Sequence, residues 1–240
     1  MAVKHLDLPP FGSVVLQKRR GTRSIRLSIA NDGKIRVTLP KWAPYRLGID
    51  FVRAKHEWIM AHHRQQPEPL KAGSLIGRSH RLVYQLGAGK IATRISNDEV
   101  RIRYPAHLKL SDDSVRTAVE RACLRALKKQ ADVFLQTRLS ELAVEHNFSY
   151  KSVTCKRLKT RWGSCDNRGH ITLNIFLMQL PQEFIDYVLL HELVHTRVLR
   201  HGSPFWDAMT QVLPQAKELR QAMRHHQPQL QAVDRLNDLD

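Results

Sequence analysis

The sequence predicts an α+β protein, with a basic, β-rich N-terminal part followed by a helix-rich back half. Three observations predict it. Apolar and polar residues alternate in short runs up to Tyr104, whereas after Pro105 the apolar residues recur every three or four positions over long stretches. The charge balance changes at the same place: residues 1–105 hold 20 Lys or Arg against 7 Asp or Glu, and residues 106–240 hold 19 against 15. These shifts divide the chain into a basic β-rich domain over residues 1–105, a second domain over 106–227, and an acidic tail over 228–240 that frays.

The elements follow in order. Ile25, Leu27 and Ile29, then Ile35, Val37 and Leu39, alternate with Ser, Arg and Thr, and Asn31-Asp32-Gly33 between them predicts a hairpin. Pro44 opens a helix to about His63, carrying Ile49, Val52, Trp58 and Ile59. A turn-rich stretch, Gln65 to Gly77, leads to strands over His80–Leu86 and around Val100–Tyr104. Ser111 or Asp112 can cap a helix that runs to about His146, with an apolar stripe from Val115 through Leu142 that includes Cys123 as a buried small hydrophobe. Strands around Ser152–Leu158 and His170–Phe176 precede a helix from Pro181 to about Leu199. A last helix starts at Ser203-Pro204, with Ser as N-cap and Pro in the first helical position.

With 240 residues, 42% of them hydrophobic and 25% charged, the chain has a globular composition, which excludes wholesale disorder, collagen and small disulfide scaffolds. Cys123, Cys155 and Cys165 are odd in number and lack the spacing of a cysteine zinc site. No run of 18 apolar residues occurs and the start lacks a secretory apolar core, so a soluble, cytoplasmic protein without a membrane span is expected. The formal charge of +17, concentrated in the front half, suggests a polyanionic partner such as nucleic acid or a nucleotide, with Lys18, Arg19, Arg20, Arg23, Arg26, Lys34 and Arg36 as its stripe; the plainer reading is a basic coat on solvated strands.

The chemistry gathers in His191-Glu192-Leu193-Val194-His195. Four residues advance a helix by slightly more than one turn, so both imidazoles stand on one face and can converge on a single ion. Glu192, offset by one, can reach a water held by that ion, which is the arrangement of a metalloprotease helix. The flanking Phe184, Ile185, Val188, Leu189, Leu190, Leu193 and Val194 make the helix apolar nearly all round, and a buried Glu there is costly unless it serves such a site. A catalytic zinc site wants a third protein ligand and an open position. His201 can supply it if the chain turns back through Gly202; Asp207 is the rival. Zincins with a third His at this distance carry a Gly seven residues after the first His, where this chain has Val198.

Taken together, Arg161-Trp162-Gly163-Ser164-Cys165, Ile171-Thr172-Leu173-Asn174, Pro181, Tyr187-Val188, His191 to His195, His201-Gly202 and Phe205-Trp206 resemble the YgjP-like metallopeptidase family, which is related to the SprT-like and WLM zinc proteases of the zincin class. The resemblance covers roughly residues 110–224 and extends to the basic front half. It implies a minimal zincin-like core: a long backing helix, a small sheet, the HExxH helix and a third-ligand helix. It also implies Zn2+ held by His191, His195 and His201, Glu192 as general base, and a peptide or protein substrate.

Around that motif, Arg161 is a candidate to stabilise developing negative charge. Cys165 reads as structural, because a fourth protein ligand would close the open position, and Trp162 and Trp206 read as packing. The strand over Gly169–Phe176 is a candidate edge for an extended peptide. His62-His63 and His225-His226 lack a partner at ligand spacing and read as surface residues. Two other functions compete with the peptidase: hydrolysis of a phosphoanhydride such as a nucleoside triphosphate, although no P-loop is present, and a nucleic-acid-associated protease or binding module.

Overall fold

A computed structural model describes residues 3–29, 35–62 and 70–230. The chain divides into two compact units, Met1–Glu68 and Pro69–Asp240. The charge shift had placed the boundary at 105/106. The strands of residues 75–104 instead share one core with the long helix, because Ile76, Leu82, Val100 and Ile102 are buried in the same cluster as Val115, Val119 and Leu127. Among the described residues no helix is long and apolar enough to cross a membrane.

In the first unit, β1 (Val3–Leu8), β2 (Gly12–Arg19), β3 (Arg26–Ile29) and β4 (Ile35–Pro40) form a sheet in the order β1-β2-β4-β3. β2 and β4 are parallel, and the outer strands pair antiparallel to them. Ile29 stands opposite Ile35, as a hairpin requires; its turn, Asn31-Asp32-Gly33, lies outside the described residues. Val14, Leu16, Ile35, Val37 and Leu39 turn one face of the sheet into a core with Val52 and Ile59. The expected single helix is two, α1 (Tyr45–Ala54) and α2 (His56–His62), broken at Lys55. Gly48 lets α1 approach the sheet, since a Cβ there would lie 3.1 Å from Leu39 Cδ1.

The second unit opens with the same strand pattern. β5 (Leu75–Ile76), β6 (His80–Leu86), β7 (Ala92–Ile95) and β8 (Glu99–Tyr104) are ordered β5-β6-β8-β7, again with the central pair parallel and the outer strands antiparallel. Each four-strand sheet is followed by a helix, a repeat of topology that no sequence period announces.

That helix, α3 (Asp113–Glu145), has 33 residues and is about 50 Å long. It ends in a Schellman motif, with Asn147 in the left-handed region at φ 57° and Phe148 N donating to Ala143 O at 2.7 Å. Beyond it, β9 (Ser152–Lys156), β10 (Gly163–Cys165) and β11 (His170–Asn174) form a sheet in the order β10-β11-β9. The chain then runs through a 3-10 turn (Ile175–Gln179), α4 (Gln182–Val194), α5 (Ser203–Val212) and α6 (Ala216–Ala222). α4 is fixed to α3 by Arg138, which donates from Nε and Nη2 to the two carboxylate oxygens of Asp186 at 2.9 and 3.0 Å.

A buried polar knot ties the β5–β6 turn to α3. Gln130 Nε2 donates to Ile76 O at 2.9 Å and lies 2.9 Å from His80 Nδ1, while Gln130 Oε1 accepts from Arg78 N at 2.8 Å. With an amide donor on Nδ1, His80 keeps its proton on Nε2, 3.1 Å from Ser96 O. Gly77, at φ +68°, is required here because a Cβ would lie 2.6 Å from Gln130 Oε1.

Burial holds the His80 pKa below the ordinary 6.5, against the pull of the Ser96 carbonyl. Above pH 6.5 the imidazole is neutral both folded and unfolded, and its contribution to stability is complete. As the pH falls below 6.5 the unfolded chain binds a proton that the folded side chain resists, so stability is lost. His80→Gln is therefore expected to show a shallower fall of Tm between about pH 6.5 and pH 5 than the unsubstituted protein, measured by thermal melts across that range. Parallel pH profiles would contradict the knot.

Candidate metal centre

The residues of the HExxH segment occupy the last turn of α4, which ends at Val194 with His195 as its C-cap, earlier than the expected Leu199. The apolar run through Val198 and Leu199 continues the helical pattern in sequence, but the chain tightens instead. Thr196 N reaches Leu193 O and Arg197 N reaches Val194 O, both at 3.0 Å, as i→i+3 bonds. Val198 O turns inward to meet His195 Nδ1 at 3.0 Å, so Val198 serves the turn through its carbonyl where related motifs use a glycine. Arg197 packs its guanidinium on the Phe148 ring at 4.3 Å and donates to Asn147 O, which fastens the turn to the end of α3. Gly202, with its N–H on Arg200 O at 2.8 Å, then serves as N-cap of α5; Ser203 is the first helical residue and Pro204 the second, one position later than expected.

The turn delivers His201 to the pair on α4. The Nε2 atoms stand 3.2 Å apart for His191 and His195, 3.0 Å for His195 and His201, and 3.0 Å for His191 and His201. Three imidazoles on a tetrahedral ion with Zn–N bonds of about 2.0–2.1 Å would hold their nitrogens about 3.3–3.4 Å apart. The observed triangle is close to that. Asp207, the rival ligand, is exposed and stands outside the cluster. Phe205, fully buried, lies beneath all three rings with centroids at 4.6–4.8 Å.

The electrostatics suit a cation. Burial first, then the neighbouring His195, His201 and Arg220, lowers the His191 pKa to about 3; burial also lowers that of His195. Both rings are therefore neutral near pH 7, the form that binds a metal. The bond to Val198 O places the His195 proton on Nδ1 and leaves Nε2 free. His191 Nδ1 is buried without a hydrogen-bond partner among the described residues.

Glu192 is 4% exposed, and its Oε2 has no hydrogen-bond partner among the described residues. Burial pushes its pKa up to about 8, and Arg161 pulls it back. A divalent cation on the three imidazoles would pull in the same direction as Arg161. The carboxylate lies against β10: a Cβ on Gly163 would fall 2.5 Å from Glu192 Oε1 and 2.8 Å from Cγ. Glycine is thus needed at 163 for its missing side chain. Gly163 lies within the run Arg161-Trp162-Gly163-Ser164-Cys165, but nothing in its spacing signals this role.

Asn174, fully buried, is the second residue whose role sequence reasoning missed. Its Nδ2 donates to Leu158 O at 2.9 Å and to Arg161 O at 2.8 Å, and its N–H reaches Trp162 O at 2.8 Å. It holds the loop that carries Arg161 and launches β10 alongside α4. Arg161 itself is exposed and acts on Glu192 through its charge. Cys165 lies outside the imidazole cluster, its thiol pushed up to about 11 by burial and by Glu192 and Asp166. The strand over Gly169–Phe176 is no edge: β11 ends at Asn174 and is flanked by β10 and β9, so the free edge beside α4 belongs to β10. His226 is also not a simple surface residue, since its ring packs on Phe184 at 4.9 Å, and the side chains of His62 and His63 lie outside the described residues.

The chain has relatives among known proteins. The family described as the YgjP-like metallopeptidase domain matches residues 23–226. Among solved structures, the metallopeptidase zymogen abylysin of Pyrococcus abyssi is similar at 26% identity and a TM-score of 0.35, over 38% of this chain and 94% of that one. The zymogen jannalysin of Methanocaldococcus jannaschii is similar at 18% identity and a TM-score of 0.34, over the same shares. No curated protein matches significantly.

One divalent ion per chain is expected at the three imidazoles. His201→Ala leaves two protein ligands where a catalytic site has three, and should weaken zinc binding strongly in a competition titration with a chelator. Unchanged affinity in that variant would remove His201 from the site.

Proposed function

The chain belongs to the YgjP-like metallopeptidase family, and from that membership and the geometry of its imidazoles we propose that it is a zinc-dependent peptidase in which Glu192 is the general base. The observation that carries the reading is the triangle of Nε2 atoms at 3.0–3.2 Å, with a buried carboxylate one residue along the same helix. His191, His195 and His201 would hold the ion. Zinc, when bound there, would supply the Lewis acidity that acidifies water and polarises a carbonyl.

The chain's own groups do the rest. Glu192 accepts the proton of the attacking water on a carboxylate oxygen and passes it to the leaving amine. Gly163 leaves room for that carboxylate, and Phe205 keeps the imidazoles in register over an apolar floor. Arg161, held by Asn174 through its own carbonyl, stands near enough to Glu192 to affect it and is placed to meet negative charge developing on the substrate. The free edge of β10 offers backbone groups to an extended peptide, which would lie beside α4 by strand addition.

Glu192→Gln preserves shape and removes the proton acceptor. Peptide hydrolysis should fall by about 10²–10⁴-fold while zinc content and Tm, measured on the same preparation, stay near those of the unsubstituted protein. Full activity in a zinc-loaded, normally melting variant would overturn the general-base role.

A polyanion partner is supported by one face of the first unit. The core-facing residues of β2 and β4 leave the other face of that sheet to Arg19, Arg26 and Arg36, all exposed, with Gln17, Thr38 and Ser28 between them. The sole carboxylate on that face among the described residues is Asp7, at the far end of β2 from Arg19. Lys18 leaves the expected stripe: it belongs to the opposite face, its Nζ 4.9 Å over the Tyr45 ring, and Lys34 lies outside the described residues. Trp42, 76% exposed, offers an aromatic surface just beyond β4. If nucleic acid binds here, three phosphate contacts imply that affinity falls about tenfold or more between about 50 and about 200 mM salt. Replacing Arg26 and Arg36 by Glu should weaken binding further and leave zinc in place. No binding at low salt would return these arginines to the role of a solvated coat.

A further inference from the structure

A second guanidinium, unmarked by any motif, stands one aromatic ring away from the imidazole cluster. Arg220 projects from α6, which is anchored by buried Ala216 and Leu219 and packs against α4 and α5. Its Cζ lies 4.5 Å over the ring of Trp206, and that indole is stacked on His201 with centroids 6.5 Å apart and planes at 29°. None of the ion pairs among the described residues includes it.

Stacking engages the face of a guanidinium and leaves its N–H edge free. An arginine held in this way has lost much of its rotamer freedom before a ligand arrives, and its fork matches a carboxylate in the same plane. Arg161 comes from the loop before β10, whereas Arg220 comes from α6 and lies on the Trp206–His201 stack, so the two cations stand on different elements of the site. With no acid paired to it among the described residues, Arg220 offers its N–H edge to a substrate's negative charge.

We propose that Arg220 binds a carboxylate of the peptide substrate beside the metal-holding imidazoles, and so makes the site selective for peptides with a negative charge close to the scissile bond. The inference rests on the peptidase reading for the identity of the ligand and on the Trp206 stack for its geometry. The carboxylate is a C-terminus or an acidic side chain; both present the same planar pair of oxygens.

The test uses the full chain loaded with zinc and carrying Glu192→Gln, so that binding is read without turnover. Four versions of one short peptide are titrated by calorimetry: free acid or amide at the C-terminus, each with Glu or Gln beside it. The version whose carboxylate sits at Arg220 should bind about 10- to 100-fold more tightly than its neutral counterpart, the range of a charge-assisted hydrogen-bonded pair. Adding Arg220→Gln should bring that ratio close to one, and Arg220→Lys should keep part of it. Which pair of peptides shows the ratio distinguishes a C-terminal from a side-chain carboxylate.

Equal binding of charged and neutral peptides with Arg220 present overturns the proposal, as does a preference that survives Arg220→Gln or a failure of all four to bind. A role confined to covering Trp206 would lower Tm in Arg220→Gln without changing the ratio. Charge-selective binding by a protein that never cleaves the same peptides with Glu192 restored would end the peptidase reading and leave Arg220's role standing.

Discussion

The local structure of the second unit answers to one constraint: three imidazole nitrogens must meet within about 3 Å, two of them on rings that burial keeps neutral. Nitrogens that close cannot satisfy one another by hydrogen bonds, since each neutral ring has one donor and one acceptor and only its Nε2 faces the others. A cation resolves the conflict. The early end of α4 at Val194, the inward Val198 carbonyl and the cap at Gly202 all serve to bring His201 back over one helical turn. Phe205 then closes the cluster from below, so the rings are held by packing as well as by any ion they bind.

The same segment must keep a carboxylate out of water. Burial of Glu192 opposes its ionised form, and the fold sets Arg161 against that cost. Space for the side chain comes from the neighbouring sheet, where β10 carries glycine at the point of contact, and β10 in turn is aimed by the bonds from Asn174. α4 cannot drift from this arrangement, because the two-pronged Arg138–Asp186 pair fixes its first half to α3 and Arg197 fixes the turn after it to the α3 terminus. The long helix is therefore the reference against which both ends of the HExxH segment are set.

Much of this was legible in the sequence because it depends on local spacing. The i, i+4 histidines, the buried character of their helix, the 3.6-residue stripe of α3 and the alternation of β4, β6 and β8 are all periodic signals. What stayed hidden depends on tertiary contact. β10 has three residues, too few for any period, and the need for glycine at 163 arises only from Glu192 across the gap. The helix end was misplaced because Val198 and Leu199 continue an apolar pattern that the backbone abandons for His201. The boundary at 105/106 followed charge, whereas the units follow apolar packing, which ties residues 75–104 to α3. Arg220 was invisible for a similar reason: its significance lies in a stack on Trp206 from a short helix fourteen residues further on.

The central claim is that three imidazoles and no thiolate hold the metal. X-ray absorption at the zinc edge of the loaded protein tests it most directly. The account predicts a first shell of three nitrogen ligands at about 2.0–2.1 Å, with imidazole scattering beyond and oxygen completing the shell. A sulfur ligand at about 2.3 Å, which would bring Cys165 into the shell, or fewer than three imidazoles, would contradict it.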